Sequence, residues 1–372
     1  MITIEPRYLL APTIFASFIF MSYILYKVKL LPHLSDSGSR YQQIDGLRGI
    51  AAVCVICAHS WRVTMSGVTN DEIFKQDMYY HANLGAIGVQ MFFCITGFLF
   101  FNKIIRDKNI NWNSFFISRI KRLVPLYAFV CSIIAVTMLF MINFHIDSNF
   151  LFQTVKVFSF GFYGTKYNVD GHELGHSLTM FWTLTYEWKF YFFLPLVAAC
   201  MSNKKIKNIF ILISIIWLIV FLFNDKGVLY NYFLTGGLCA YIKNKFNPSE
   251  NRAFTFIFVA AVIVNLLSIY INDDPYSILR YVLSSVLFFS VIFASPKILK
   301  INALRFLGEI SYSTYLTHAF LFYFCGEVIK KVINLGDSSV IVTLSIAVIM
   351  SFFITLISSL TFKYIEHPFI KK

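Results

Sequence analysis

Charge is scarce in this chain. Only 14% of its 372 residues are Asp, Glu, Lys or Arg, against roughly a quarter in soluble domains. Long polar stretches are scarcer still: the longest interval between apolar runs, residues 145–180, itself contains an apolar segment from Phe150 to Tyr163, so no separate soluble domain is expected. No internal repeat is evident. The seven cysteines all fall inside apolar runs, which rules out a framework of loop disulfides and leaves the redox compartment open. Cys54-x-x-Cys57 reads most simply as helix packing rather than as a metal or redox pair.

What the chain does have is apolar surface. With 58% hydrophobic and 18% aromatic residues and a mean hydropathy of +0.67, it is expected to be an all-α polytopic membrane protein. Apolar runs long enough to span a bilayer cover residues 8–31, 44–64, 84–105, 122–144, 181–200, 206–223, 227–243, 254–271, 277–294, 309–332 and 339–362, which makes about eleven transmembrane helices.

The net charge of +13 could suggest a nucleic-acid partner, but the basic residues alternate between loops instead of forming one polar surface. Every second connector is rich in them, and together those connectors hold 21 of the 32 Lys and Arg. The positive-inside rule places that set in the cytoplasm, with the N-terminus outside and the C-terminus inside. Residues 8–31 lack a preceding basic region and a following small-residue cleavage site, so they read as a retained anchor helix rather than a secretory signal. The expected organisation is an anchor helix and cytoplasmic linker over residues 1–43, followed by one transmembrane domain over residues 44–372.

Ionisable groups inside the spans mark the functional candidates. A charge at the bilayer centre costs at least about 2.5 to 3.5 kcal/mol on insertion scales, so Arg48, His59, Glu187 and Lys189 should face a protein or water-filled interior, as a site or as a structural ion pair. At ~100° per residue, the eleven steps from Arg48 to His59 return to within ~20° of the starting direction and rise about 16 Å, so both side chains share a helix face. Span 44–64 runs outward and span 181–200 inward. Counted from their outer ends, His59 and Glu187 lie at similar depth, so Glu187 could orient His59 as a general base. His318 lies at mid-depth, either packed or lining the same cavity. Asp45 sits at the cytoplasmic mouth. Arg119, Lys121 and Arg122 gather where span 122–144 begins, as a phosphate clamp or as anchors for anionic lipid.

His172-Glu-Leu-Gly-His176 matches the H-E-x-x-H zinc signature. Its outer-loop setting, Gly175 and the lack of a third ligand at a known spacing argue against a catalytic metal, and none is expected.

These pieces, in this order, resemble the integral-membrane acyltransferase 3 family. The resemblance rests on Asp45-Gly-Leu-Arg-Gly-Ile-Ala51 with Arg48 and His59 in an R-x10-H arrangement, Gly88-Val-Gln-Met-Phe-Phe-Cys-Ile-Thr-Gly-Phe-Leu99, and Arg119-x-x-Arg122 with Pro125. It continues through Trp182-Thr-Leu-Thr-Tyr-Glu-Trp-Lys-Phe-Tyr191 with Pro195, Gly308-Glu-Ile-Ser-Tyr-Ser-Thr-Tyr-Leu-Thr-His318, and Tyr364-Ile-Glu-His-Pro-Phe369. Thr96 departs from the family's usual Ser, and one helix precedes the usual ten.

The resemblance implies an O-acyltransferase of the bacterial inner membrane. It would move an acyl group, in the first instance acetyl from acetyl-CoA, to a hydroxyl of a cell-envelope carbohydrate or lipid-linked glycan such as an O-antigen repeat. Arg119, Arg122 and Lys121 would hold the coenzyme phosphates, and Arg48 the donor or developing oxyanion. His59 oriented by Glu187 would remove the acceptor proton, directly or through an acyl-His shuttle. Asp45, Trp182, Tyr315 and His318 would bind substrate or support the cavity. No extracytoplasmic hydrolase-like domain is expected after Pro368. A permease with the same charged cavity, and less so a zinc protease, are the competing readings.

Overall fold

A backbone in lipid has no water to bond its N–H and C=O groups, so each apolar run must close its hydrogen bonds on itself, and each does so as a helix. The computed structural model describes residues 6–36, 41–64, 71–107, 109–169, 171–173, 181–222, 228–246, 252–271, 274–333 and 339–370. The main helices are α1 (Pro6–Lys27), α2 (Gln42–Thr64), α3 (Asp71–Arg106), α4 (Trp112–Met141), α5 (Ser148–Val157), α6 (Trp182–Ser202) and α7 (Lys204–Leu222). They continue as α8 (Val228–Phe246), α9 (Arg252–Ile271), α10 (Ile278–Ala294), α11 (Asn302–Glu309), α12 (Ser311–Val332) and α13 (Val340–Thr361). Each expected span coincides with one of these, and α5 and α11 are additions.

By length and composition, five described stretches are apolar enough to cross a membrane: Leu9–Lys27, Tyr79–Arg106, Trp112–Met141, Arg252–Ile271 and Val340–Ile370. Strand is confined, among the described residues, to one antiparallel pair in which Asn168 faces Glu173 and Val169 faces His172.

Three boundaries differ from expectation. Helix α3 begins at Asp71 and α4 at Trp112, ahead of the expected 84 and 122, because the polar turns that precede each apolar run are helical too. Asn111 fixes the start of α4 by accepting a hydrogen bond from the Ser114 amide at 3.0 Å. The expected span 309–332 is broken after Glu309, where the amphipathic α11 ends and α12 starts. Apolarity locates the buried stretch of a helix, whereas caps set where it ends.

Helix α3 is the hub and packs along both α2 and α8. Its contact with α8 depends on two glycines: a Cβ on Gly97 would strike the Phe233 carbonyl, and one on Gly236 would strike the Cys94 carbonyl. Small residues let membrane helices approach closely where no hydrophobic effect drives them together. On the periphery, α7 and α9 expose Ile209, Leu212, Ile216, Phe256 and Leu267, as expected of surfaces solvated by lipid tails.

Candidate active site

Five helices converge on a cavity of about 360 Å³, lined on its polar side by Arg48 of α2, Arg119 and Arg122 of α4, Glu187 of α6, and Ser311 and Tyr315 of α12. Its apolar wall comes from α3, including Phe92, Phe93 and Phe100. This volume lies within the ~300 to 1,000 Å³ typical of ligand pockets. The two arginines of α4 are three residues apart in a continuous helix and so share a face. Arg119 also lies over the Phe100 ring, 5.3 Å from its centroid, an arrangement that holds a planar cation in place. Lys121, one residue from Arg122, does not line the cavity.

The cavity is cationic, and carboxylates around it balance its charge in part. The charge of Arg122 is favoured by Glu366, Glu309 and Glu187, whereas that of Arg48 is opposed by Arg122 and favoured more weakly by Asp45, Glu309 and Glu366. Glu366 is fully buried and accepts a hydrogen bond from Ser313 Oγ at 2.9 Å. Glu309 meets His33 Nε2 at 3.4 Å, and His33 in turn stacks on His367 at 4.6 Å. Sequence reasoning gave Glu309 and Glu366 no role. The available signal was their place at the ends of apolar runs, within the two blocks that carry the family resemblance near the C-terminus.

Above the arginines, the Tyr315 hydroxyl and Thr183 Oγ1 are 2.6 Å apart and join α12 to α6. Beyond that bond, the His318 ring sits 6.1 Å from the Tyr315 ring and 5.4 Å from the His59 ring. Both histidines bond a carbonyl one turn back in their own helices, His59 Nδ1 with Val55 O at 2.7 Å and His318 Nδ1 with Thr314 O at 3.1 Å. Arg48 thus lies at the cavity and His59 beyond it, on one face of α2.

Two expected arrangements differ. Glu187 does not meet His59; its Oε1 accepts a hydrogen bond from the Tyr191 hydroxyl, one turn further along α6. Thr183 lies one turn before Glu187, so the carboxylate falls on the arginine side of the Thr183–Tyr315 bond and His59 on the other. At 1.5 Å per residue the two are separated by roughly 10 Å in depth. Lys189 is exposed on the outside of its helix. Two residues of helix turn a side chain by ~200°, so Glu187 and Lys189 cannot both face inward.

Trp182 is half-buried and packs edge-on against Tyr186 at 5.9 Å, away from the cavity lining. Asp45 acts on Arg48 electrostatically. Cys54 and Cys57 are buried and unbridged. His172 and Glu173 are in extended backbone, not the helix that sets positions i and i+4 on one face. The remainder of the H-E-x-x-H sequence, His176 included, lies outside the described residues. Among the described residues, no group of three or more His, Cys, Asp or Glu is placed to hold a metal.

A multi-helix membrane domain with an arginine-lined cavity below a buried histidine is the frame of an intramembrane group-transfer enzyme. The chain belongs to the acyltransferase domain family known as acyltransferase 3, which it matches over residues 41–363. Membership sets aside the permease and zinc-protease readings.

The chain is 27% identical over 324 residues to ORF330 of Acidianus two-tailed virus, provisionally named an acetyltransferase, across 80% of this chain and 88% of that protein. It is 25% identical over 315 residues to SACOL0978 of Staphylococcus aureus strain COL, provisionally named an O-acetyltransferase, across 74% of this chain and 49% of that one. A third relative, the peptidoglycan O-acetyltransferase OatA of Listeria monocytogenes, is 27% identical over 185 residues, which cover 46% of this chain and 26% of OatA. The chain therefore spans about half or less of the two bacterial relatives. No solved structure matches it.

Proposed function

We propose that this membrane acyltransferase takes an acetyl group from acetyl-CoA on the cytoplasmic side and delivers it to a hydroxyl of a cell-envelope carbohydrate at the outer half of the bilayer. The observation that carries this reading is the succession along α2: Arg48 in a cavity it shares with Arg119 and Arg122, and His59 on the same helix face about 16 Å further on. The phosphates of a donor with a long, thin thioester arm suit the arginine cavity, and the arm would reach past its lining to His59. In this reading the N-terminus lies outside and the C-terminus inside, in line with the distribution of basic residues among the loops, and the arginines then face the cytosol.

In this scheme Arg119 and Arg122 hold the donor's phosphates, for which paired guanidinium forks are suited. Lys121 adds charge at the mouth. Arg48 steadies the donor within the cavity and the oxyanion that develops at the thioester carbonyl. His59 removes the proton from the acceptor hydroxyl as oxygen attacks the carbonyl and the C–S bond breaks. Glu187, bonded to Tyr191, works on the donor side by offsetting the arginines. Nothing in this sequence of steps calls for a metal.

The relatives support a carbohydrate acceptor. OatA is named for peptidoglycan O-acetylation, and an O-antigen or related surface polysaccharide is the corresponding acceptor in an outer-membrane organism. Mass spectrometry of envelope glycans from cells with and without the chain tests the reading. The expected difference is one acetyl per modified unit; identical glycans would refute it.

A further inference from the structure

Away from the arginine cavity, a groove of about 460 Å³ runs along the lipid-facing side of α8 and α10. Helix α7 packs on α8 and helix α9 on α10, and Leu218 of α7 and Phe254 of α9 form the rims. On the floor, Leu238, Val282 and Val286 are exposed, so no other part of the described chain covers them. The lining on α10 extends from Tyr281 to Phe293, about 18 Å at 1.5 Å per residue and close to the ~15 Å depth of hydrocarbon in one leaflet. The groove offers little to a polar solute. Thr235 Oγ1 and the Tyr281 hydroxyl are 2.6 Å apart and bond each other, Ser290 Oγ donates to the Leu287 carbonyl at 2.7 Å, and the Ser285 oxygen is buried. Its length and its chemistry suit an alkyl chain.

Basic residues gather at one end of this groove. Lys243 Nζ donates to the Ile292 carbonyl at 3.0 Å and lies 5.9 Å from the ring centroid of Phe293, where the lining ends on α10. Lys207 of α7 and Lys245 of α8 flank the Tyr241 ring, their Nζ atoms 5.3 and 5.7 Å from its centroid. Lys207 stands eleven residues before Leu218, and Lys245 seven after Leu238. Both spacings return to within about 20° of the same helix face, so the two lysines continue the line of the groove. The connectors at this end are basic in sequence: residues 203–207 hold three lysines and no acid, and residues 243–252 three basic residues and one acid. At the opposite end Arg280 is fully buried and bonded inward to Ser268 and Asn83.

We propose that the groove is a binding site for an anionic phospholipid of the cytoplasmic leaflet, which lays an acyl chain along α8 and α10 and its phosphate among Lys207, Lys243 and Lys245. Basic pockets between membrane helices hold such headgroups by charge. The chain is as apolar in the bilayer as in the groove, so selectivity lies in the headgroup. Naming the cytoplasmic leaflet rests on the topology taken under the proposed function; the site itself does not.

The test is native mass spectrometry of the whole chain, purified in a non-ionic detergent and titrated with dioleoylphosphatidylglycerol or with dioleoylphosphatidylcholine, which has the same chains and no net charge. The anionic lipid should bind the more tightly. Lys207→Gln with Lys245→Gln should weaken its binding by roughly 25-fold, about fivefold for each charge removed. Lys27→Gln with Lys29→Gln takes the same charge from the exposed end of α1 and should leave the affinity unchanged. Val286→Trp fills the groove from an exposed position and should also weaken binding. Equal affinity for the two lipids overturns the proposal. So does an equal loss in the α1 pair, which would show attraction to any basic surface, and so does full binding in Val286→Trp, which would put the acyl chain elsewhere. Lys245 is exposed, so if the paired variant does not purify, Lys245→Gln alone carries the test, at about fivefold. Each readout is independent of acetyl transfer, and its failure leaves the acyltransferase reading in place.

Discussion

Tyr315 and Thr183 face each other across the α6–α12 interface, their hydroxyl oxygens 2.6 Å apart where the arginine cavity gives way to the histidines. Tyr315→Phe keeps the ring and removes that bond. A net loss of about 1 kcal/mol is expected, since a buried hydrogen bond contributes on that order. Melting of the purified protein should show it, and Thr183→Val should have a similar effect. The double variant should be little worse than either single one, because both remove the same bond; fully additive losses would show that the two hydroxyls act separately.

Arg122 faces the cavity and three carboxylates. Arg122→Lys keeps a charge but loses the planar fork, so it should raise the acetyl-CoA KM several-fold in a labelled-transfer assay while largely sparing Vmax. Arg122→Ala should be worse on both counts. Equal KM values in wild type and both variants would remove Arg122 from donor binding.

Glu366 is fully buried beside this cationic group and bonded to Ser313. Replacing it by Ala leaves the Ser313 hydroxyl without its acceptor and removes a carboxylate that favours the Arg122 charge, and an unsatisfied buried polar group typically costs ~1 to 3 kcal/mol. A fall in melting temperature is therefore expected for Glu366→Ala, and a smaller one for Ser313→Ala. If Glu366→Ala melts like wild type, the carboxylate does not compensate the arginines.

Gly97 and Gly236 bring α3 and α8 into backbone contact. Either Gly→Ala change forces the helices apart, at about 1 to 3 kcal/mol by analogy with overpacked cores. The readout is reduced membrane accumulation and a lower melting temperature; unchanged values in both would mean that the helices can separate at no cost.

Much of this fold is legible in the sequence because lipid imposes a simple rule: an apolar run of sufficient length must be a helix. Each of the eleven runs is helical over most of its described residues, and Arg48, Arg119, Arg122 and Glu187 line one cavity. What sequence reasoning missed was relative depth. Placing His59 opposite Glu187 supposed that the outer ends of two spans lie level, whereas the Thr183–Tyr315 bond shows them offset by about two turns. The carboxylates that favour the arginine charges come from Glu309 and Glu366, far along the chain, the first at the very start of one apolar run and the second just past the end of another, where no periodicity marks them. Lys189 was misread by proximity, since two residues along a helix mean opposite faces.

The central claim is that His59 performs the transfer while the arginine cavity holds the donor, and one substitution separates the two. Everted vesicles carrying His59→Ala should bind [14C]acetyl-CoA with wild-type affinity yet pass no label to the glycan fraction. Label arriving there at the wild-type rate would contradict the account at its root.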